Sequence, residues 1–158
     1  MAQFLLVTTL LTIAGLIATM VIGFTASPAH VAQHILFSLG TVVIGLFSQS
    51  MTMFFFIGTG KEIKDKVKGA AEEADIVNRT KLFKSKVFPT ATYAMLVLMV
   101  TFIMGGGVGS GKTPRFLHDV MAFATLAMYG RAYWVQLRAM MENADLMEKY
   151  LRDEEGRG

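Results

Sequence analysis

Three histidines are the residues of this chain whose type and spacing are suited to chemistry. The 158-residue sequence holds only His30, His34 and His118. His30 and His34 are four residues apart, so a helix places them on one face, and His118 lies in a separate hydrophobic segment. Imidazoles from facing helices bind haem iron or transition metals inside helical bundles. The sequence therefore predicts a b-type haem bound by His34 and His118, or a metal ion bound by all three histidines instead.

Two other interpretations of the histidines stay open. In one, His30 lies at the membrane interface while His34 and His118 bond to nearby hydroxyls or to each other, or handle protons, without a cofactor. In the other, a quinone occupies the same place. Asp119 is expected to turn away from His118 toward Lys112 or Arg115, because adjacent helical residues diverge by about 100°. Ionisable groups inside membranes are costly and are functional candidates by default.

The segment GGVGSGKT, from Gly106 to Thr113, satisfies the phosphate-binding pattern G-x-x-x-x-G-K-[ST]. That pattern binds phosphate only between a strand and a helix, where backbone amides surround the anion. Here a hydrophobic helix precedes it, and Pro114 removes an amide donor directly after the threonine. We expect a tight turn rather than a nucleotide site. Cysteine is absent, which excludes thiolate chemistry. No other group of residues in the sequence predicts a catalytic site, so the sequence does not predict an enzyme.

The distribution of charge identifies a membrane protein. Hydrophobic residues make up 53% of the chain and charged residues 17%, and residues 1–60 contain no Lys, Arg, Asp or Glu. A soluble fold needs a charged surface, which this segment does not offer. The net charge of +3 comes from basic residues beside hydrophobic runs, which indicates membrane flanks and no nucleic-acid partner.

Four hydrophobic runs are long enough for helices that cross a bilayer, since about 20 residues span its hydrocarbon core. The expected fold is an all-α integral membrane protein, a single domain over residues 1–158 built as an antiparallel bundle of four transmembrane helices with cytoplasmic helical extensions. The predicted spans are residues 4–24, 30–57, 87–107 and 114–138.

The lysines and arginines predict the orientation of these spans. The loop at residues 58–86 is far more basic than the two connections at the opposite side, so the positive-inside rule places this loop and both termini in the cytoplasm. The histidines then lie near the periplasmic side of what we expect to be a bacterial inner membrane. The basic residues of the loop are Lys61, Lys64, Lys66, Lys68, Arg79, Lys81, Lys84 and Lys86.

Small and polar residues recur at steps of three and four along three of the spans, which predicts helix faces that meet inside the bundle. The sequence leaves open the alternative that one of these faces meets a partner subunit. The faces comprise Thr8, Thr12, Gly15, Thr19 and Gly23; His30, His34, Ser38, Thr41, Gly45, Ser48 and Thr52; and His118, Ala122, Thr125, Tyr129, Ala132 and Gln136.

Two cytoplasmic segments are predicted to make external contacts. The loop at 58–86 is expected to begin as a helical extension of the second span and to touch anionic lipid headgroups or dock a partner. Residues 139–154 are expected to form an amphipathic helix on headgroups or on a partner. Its apolar side comprises Leu146, Met147, Tyr150 and Leu151.

Chain size and membrane histidines resemble those of small four-helix membrane cytochromes and the anchor subunits of respiratory complexes. This resemblance is one of architecture and carries no shared motif. It implies a small subunit of an electron-transfer or respiratory complex that binds one haem or metal near the periplasmic side. The alternative is a cofactor-free assembly subunit that docks larger partners through its cytoplasmic segments. Either subunit would contact the lipid bilayer and other subunits or further copies of itself.

Overall fold

The structure, a computed structural model, describes residues 1–25, 30–69 and 71–152, which form four helices and no strand. They are α1 (Ala2–Thr25), α2 (Val31–Lys66), α3 (Glu73–Gly109) and α4 (Arg115–Arg152). Each helix packs against its neighbours in chain order, α4 returns against α1, and α2 touches α4 across the bundle. We call the end that holds His34 and His118 the histidine end, and the end that holds the α2–α3 turn the lysine end. The predicted all-α bundle is confirmed.

Three of the four predicted spans meet the requirements for crossing a membrane. Among the described residues, α1, α2 and α3 are long and apolar enough, and α4 is not. The fourth helix has sufficient length at 38 residues. Its predicted span at 114–138 falls short because His118, Asp119 and Arg131 interrupt the apolar sequence.

The segment predicted as a loop at residues 58–86 is mostly helical, so the helix that contains the predicted third span begins well before residue 87. Helix α2 continues to Lys66, as expected for an extension, and α3 begins at Glu73. The turn between them is tight: Gly69 has a φ of 83°, and its amide donates to the Glu73 side chain over 2.8 Å. Pro89 lies inside α3 rather than at a helix start.

The predicted amphipathic helix at 139–154 is the uninterrupted continuation of α4 as far as Arg152. Leu146 is 8% exposed, and it and Met147 pack with buried residues at the lysine end. This segment therefore packs against its own chain and not against headgroups alone. Residues 153–154, and the side chains of Tyr150 and Leu151, lie outside the described part.

Large apolar side chains close the lysine end of the bundle. Most of them belong to the helical segments within residues 58–86 and 139–152, and each is at most 8% exposed. We call them the apolar cluster: Leu5, Phe56, Ile63, Val67, Ile76, Phe83, Val87, Ala139, Met140 and Leu146.

The predicted inward faces of α1, α2 and α4 meet at the bundle centre. Tyr129 and Gln136 of α4 are 0% and 1% exposed, and Ser48 of α2 is 0% exposed. Only His30, among the residues predicted to face inward, is strongly exposed. No inward face was predicted for α3, which contributes the buried residues Ala94 and Leu98. These faces position the site described next.

Candidate functional site

A partly open cavity of about 900 Å³ lies at the histidine end, lined by residues of all four helices. His34 of α2 and His118 of α4 both line it, as predicted from their equal depth. We call it the histidine cavity. Most of its exposed wall is apolar, and Arg115 and Asp119 are the charged residues that line it. Its apolar wall includes Leu16, Met20, Phe24, Val31, Ile35, Val42, Leu98 and Phe102.

His34 packs over a glycine of the neighbouring helix. Its Cε1 atom lies 2.9 Å from the position that a β-carbon on Gly23 would occupy. The imidazole also interacts with the backbone of Thr19, one turn earlier in α1. Its Nδ1 atom is buried without a hydrogen-bond partner in the described protein. A buried polar atom without a partner costs free energy, so this nitrogen marks a place where a ligand would be stabilising.

His118 has a matching arrangement on the other helix pair. Its Nε2 atom lies 3.2 Å from the β-carbon position of Gly105 in α3. Its Nδ1 atom lies 3.5 Å from Oδ1 of Asp119, and Oδ2 of Asp119 lies 3.9 Å from Arg115. The expectation that Asp119 turns away from His118 is therefore wrong, although its contact with Arg115 is confirmed. A carboxylate beside one imidazole nitrogen holds the ring so that the other nitrogen is available as a ligand.

The three histidines do not assemble into one metal site. His30 is exposed at the start of α2 and does not line the histidine cavity. Within residues 1–25, 30–69 and 71–152, no group of three or more histidines, cysteines, aspartates or glutamates is placed to hold a metal ion. The site that the structure brings together consists of His34 and His118, with Asp119 beside the second.

Two threonines form part of the cavity lining on its inner side. The hydroxyls of Thr101 in α3 and Thr125 in α4 are 2.7 Å apart, and Thr125 also donates to the carbonyl of Met121 over 2.8 Å. Thr41 of α2 lines the same cavity, and its hydroxyl donates to the carbonyl of Phe37 over 3.1 Å. The hydroxyls of these three threonines form hydrogen bonds with one another or with the backbone. They make this part of the cavity wall polar, and none of the three lacks a hydrogen-bond partner.

Four buried polar side chains lie deeper in the bundle, and we call them the central polar cluster: Thr9, Ser48, Gln49 and Gln136. The hydroxyls of Thr9 and Ser48 are 2.7 Å apart. Gln136 donates to the side-chain oxygen of Gln49 and accepts from Thr9 over 3.5 Å. The predicted faces included Ser48 and Gln136 but missed Thr9 and Gln49. Each missed residue directly follows a predicted one, and a face slightly wider than the three-four repeat would have included it.

Gly45 is the point at which all four helices meet. A β-carbon there would lie 2.8 Å from the Tyr129 hydroxyl, 2.9 Å from Leu98 and 2.9 Å from Thr12. These atoms belong to α4, α3 and α1. A glycine is needed here because any side chain would collide with three helices at once. The close approach fixes the relative positions of the helices that line the histidine cavity.

The glycine-rich segment between α3 and α4 forms the tight turn that the sequence predicts. The amides of Lys112 and Thr113 both donate to the carbonyl of Gly107, over 2.9 and 3.0 Å. The amide of Gly111 donates to Val108 over 3.0 Å, and Gly111 has a φ of 70°. These three amides are engaged inside the turn, and the segment follows a helix rather than a strand. It lacks the geometry with which such a sequence binds phosphate.

Comparison of the chain with protein-family models, with curated proteins and with solved structures found no match.

Proposed function

We propose that this protein is a small integral membrane subunit of an electron-transfer complex and that it binds one b-type haem through His34 and His118. The observation that carries the proposal is the histidine cavity, because both imidazoles line one mostly apolar space between the four helices. Cofactor sites in helical bundles are built in this way, from side chains on facing helices. Pockets for small molecules and cofactors usually measure about 300–1,000 Å³, and this cavity falls within that range.

The residues present fit the haem in three respects. His34 and His118 come from different helices, α2 and α4, and both line the same cavity, so the two imidazoles would hold the haem iron between these helices. Asp119 supports His118 through the nitrogen that would not bind iron. Arg115, whose guanidinium donates to the carbonyl of Gly23 over 3.1 Å, supplies a positive charge for a haem propionate. The bound haem would supply one-electron chemistry, and the chain would hold and orient it.

We propose further that α4 crosses the membrane together with α1, α2 and α3. Helix α4 packs along α3 and also contacts α1 and α2. The contact between Gln136 and Gln49 ties it to the spanning part of α2. Its surface near the histidine end exposes Phe116, Val120 and Phe123, which suits contact with lipid. Of the residues that lower its hydropathy, His118 and Asp119 line the histidine cavity. Arg131 is exposed, and its long side chain would extend along the helix to the membrane interface.

In this topology the lysine end is cytoplasmic and the histidine end faces the periplasm of a bacterial inner membrane. The support is the positive-inside rule, since the helical extensions that flank the α2–α3 turn carry the basic residues. Arg138 lies 4.5 Å from the ring of Trp134, a pairing typical of an interfacial belt. Both termini would then be cytoplasmic, and the exposed lysines would contact anionic headgroups.

One observation favours the second candidate function, a cofactor-free assembly subunit that docks larger partners or further copies of itself. Each imidazole packs into the space above a glycine, His34 over Gly23 and His118 over Gly105. Histidines in that position can act as packing groups between adjacent helices. Haem binding would require the Nε2 atom of His118 to turn from Gly105 into the cavity.

The absorption spectrum of the purified full-length chain tests the proposal. We expect a Soret band and about one haem per chain after expression with a haem precursor, because two imidazoles in a mostly apolar cavity would hold the iron. His34→Ala and His118→Ala should each lose most of the bound haem. His30→Ala is the matched control and should keep it, since His30 is exposed and outside the cavity. Absence of a Soret band in the unaltered chain, even after incubation with hemin, would favour the cofactor-free candidate.

Labelling of single cysteines in intact cells tests the topology, and the chain provides a background without cysteine. A membrane-impermeant maleimide should label Lys112→Cys, between α3 and α4, from outside. It should label Lys68→Cys and Asp145→Cys only after the cells are opened. Labelling of Asp145→Cys in intact cells would show that α4 does not cross.

A further inference from the structure

The described part of the chain has three buried side-chain polar atoms without a hydrogen-bond partner, one at the histidine cavity and two deeper in the bundle. They are Nδ1 of His34, the hydroxyl of Tyr129 and Nε2 of Gln49. His34 lines the histidine cavity. Tyr129 lies one helical turn beyond Thr125, which also lines that cavity. Gln49 lies one turn beyond Gly45, the residue that the Tyr129 hydroxyl touches.

Two of these atoms are strong hydrogen-bond donors in a fully enclosed environment. Tyr129 and Gln49 are both 0% exposed. The other polar atoms around them have partners, since Gln136 donates to Gln49 and the Thr9 hydroxyl contacts both Ser48 and Gln136. A donor left unpaired in such an environment is costly, because no solvent compensates for the missing bond. The two unpaired donors therefore call for a small hydrogen-bond acceptor.

We propose that the centre of the bundle binds a short file of water molecules that extends the histidine cavity inward to Tyr129 and Gln49. Water is an acceptor small enough for a place where side chains of four helices converge, as they do at Gly45. One helical turn rises about 5.4 Å, so a single water molecule has the size to bridge neighbouring levels of the path. Buried water of this kind typically makes about three hydrogen bonds to polar groups that otherwise lack partners.

The file has one open end. Beyond the central polar cluster, Phe56 is 2% exposed, Val87 is 0% exposed and Met140 is 4% exposed, and these residues belong to the apolar cluster. The buried polar side chains at this level already have partners: Thr52 and Thr59 donate to backbone carbonyls of α2, and Asn143 donates to the sulfur of Met147. Water consequently reaches the centre from the histidine end only, and the path is an inlet and not a channel through the bundle. This inference does not depend on which ligand occupies the histidine cavity.

The sign of a stability change tests the inference. Tyr129→Phe removes the hydroxyl and keeps the ring. If the hydroxyl binds water, its loss removes a hydrogen bond, and we expect the Tm of the full-length chain in detergent to fall by about 2–4 °C. If the hydroxyl is dry and unpaired, its removal relieves a penalty and the Tm rises. Tyr93→Phe is the matched control, because Tyr93 is 59% exposed, and its Tm should stay within about 1 °C.

A second measurement keeps the test decisive if Tyr129→Phe fails to fold. In the unaltered chain labelled at tyrosine, glutamine and valine, nuclear magnetic resonance should detect cross-peaks from water to the Tyr129 ring and to the Gln49 side-chain amide. Val87, in the apolar cluster, should show none. A Tm that rises or does not change in Tyr129→Phe, or water cross-peaks that are absent at both Tyr129 and Gln49, would overturn the proposal.

Discussion

The two ends of this bundle are built in opposite ways. At the lysine end, large apolar side chains such as Phe56, Ile63 and Val87 fill the space between helices and are 0–2% exposed. At the histidine end, the helices leave a cavity of about 900 Å³ between them and bring His34 and His118 to its wall. Close packing stabilises a fold, whereas a mostly apolar space with a few polar groups in its wall is typical of a binding site. Under the proposed function, one end mainly supplies stability and the other end binds the cofactor.

The glycines follow the same division. Gly45, at the centre, allows four helices to meet. Gly23 and Gly105, at the histidine end, each provide the space that an imidazole occupies. Small residues therefore serve two purposes in this bundle, close helix approach at the centre and space for the two imidazoles near the end.

The largest effect is expected from a large-to-small change in the apolar cluster. Phe56→Ala should lower the free energy of unfolding by about 3–5 kcal/mol, because it leaves a cavity where packing is tight. Phe54→Ala is the matched control two residues away, since Phe54 is 64% exposed, and it should cost less than about 1 kcal/mol. Denaturant titration in detergent measures both. Equal losses in the two variants would contradict a stabilising role for the apolar cluster.

A smaller loss is expected at the meeting point of the helices. Gly45→Ala places a β-carbon within 3 Å of Tyr129, Leu98 and Thr12, and such overpacking should cost about 1–3 kcal/mol. Gly40→Ala is the control, because a β-carbon at Gly40 would meet nothing within 4 Å. That change should stabilise the helix by about 0.5–1 kcal/mol. The same unfolding titration compares them, and a stable Gly45→Ala variant would show that the helices do not meet closely there.

The smallest effects on stability should come from the glycines beneath the histidines. Gly23→Ala and Gly105→Ala displace flexible imidazoles by tenths of an ångström, at a cost of about 0.5–1.5 kcal/mol for a shifted rotamer. A gain in helix propensity of similar size offsets it. We expect both variants to unfold within about 1 kcal/mol of the unaltered chain and yet to retain less haem per chain, as absorbance measures. If both variants retained as much haem as the unaltered chain, the position of the histidines over these glycines would not matter for haem binding.

The sequence predicts those features of the fold that depend on local pattern. The four helices, the inward position of Gly45 and Tyr129, and the shared depth of His34 and His118 follow from helical periodicity and antiparallel order. It did not predict the uninterrupted length of α3 through the basic segment, because charged extensions of membrane helices are polar on several sides and resemble connectors. Their apolar residues are recognisable as core only once α2, α3 and α4 are seen to pack together.

Parts of the candidate site also escaped prediction for tertiary reasons. Asp119 lines the same cavity as His118 because its side chain bends toward that histidine. The angle of about 100° between adjacent helical residues describes where a side chain starts and not how it bends. The placement of His34 over Gly23 depends on the register between α1 and α2, and the contact between Gln49 and Gln136 depends on how α2 and α4 approach each other. No spacing within a single helix contains either kind of information.

The separation of binding from stability is tested most directly by the effect of hemin on thermal unfolding. Hemin at about 100 times its dissociation constant should stabilise the unaltered chain by about 2.7 kcal/mol, which is a rise in Tm of several degrees. Phe56→Ala should start from a lower Tm and show the same rise, whereas a variant with both His34→Ala and His118→Ala should show none. A rise that persists without the two histidines, or that is absent from the unaltered chain, would contradict the account.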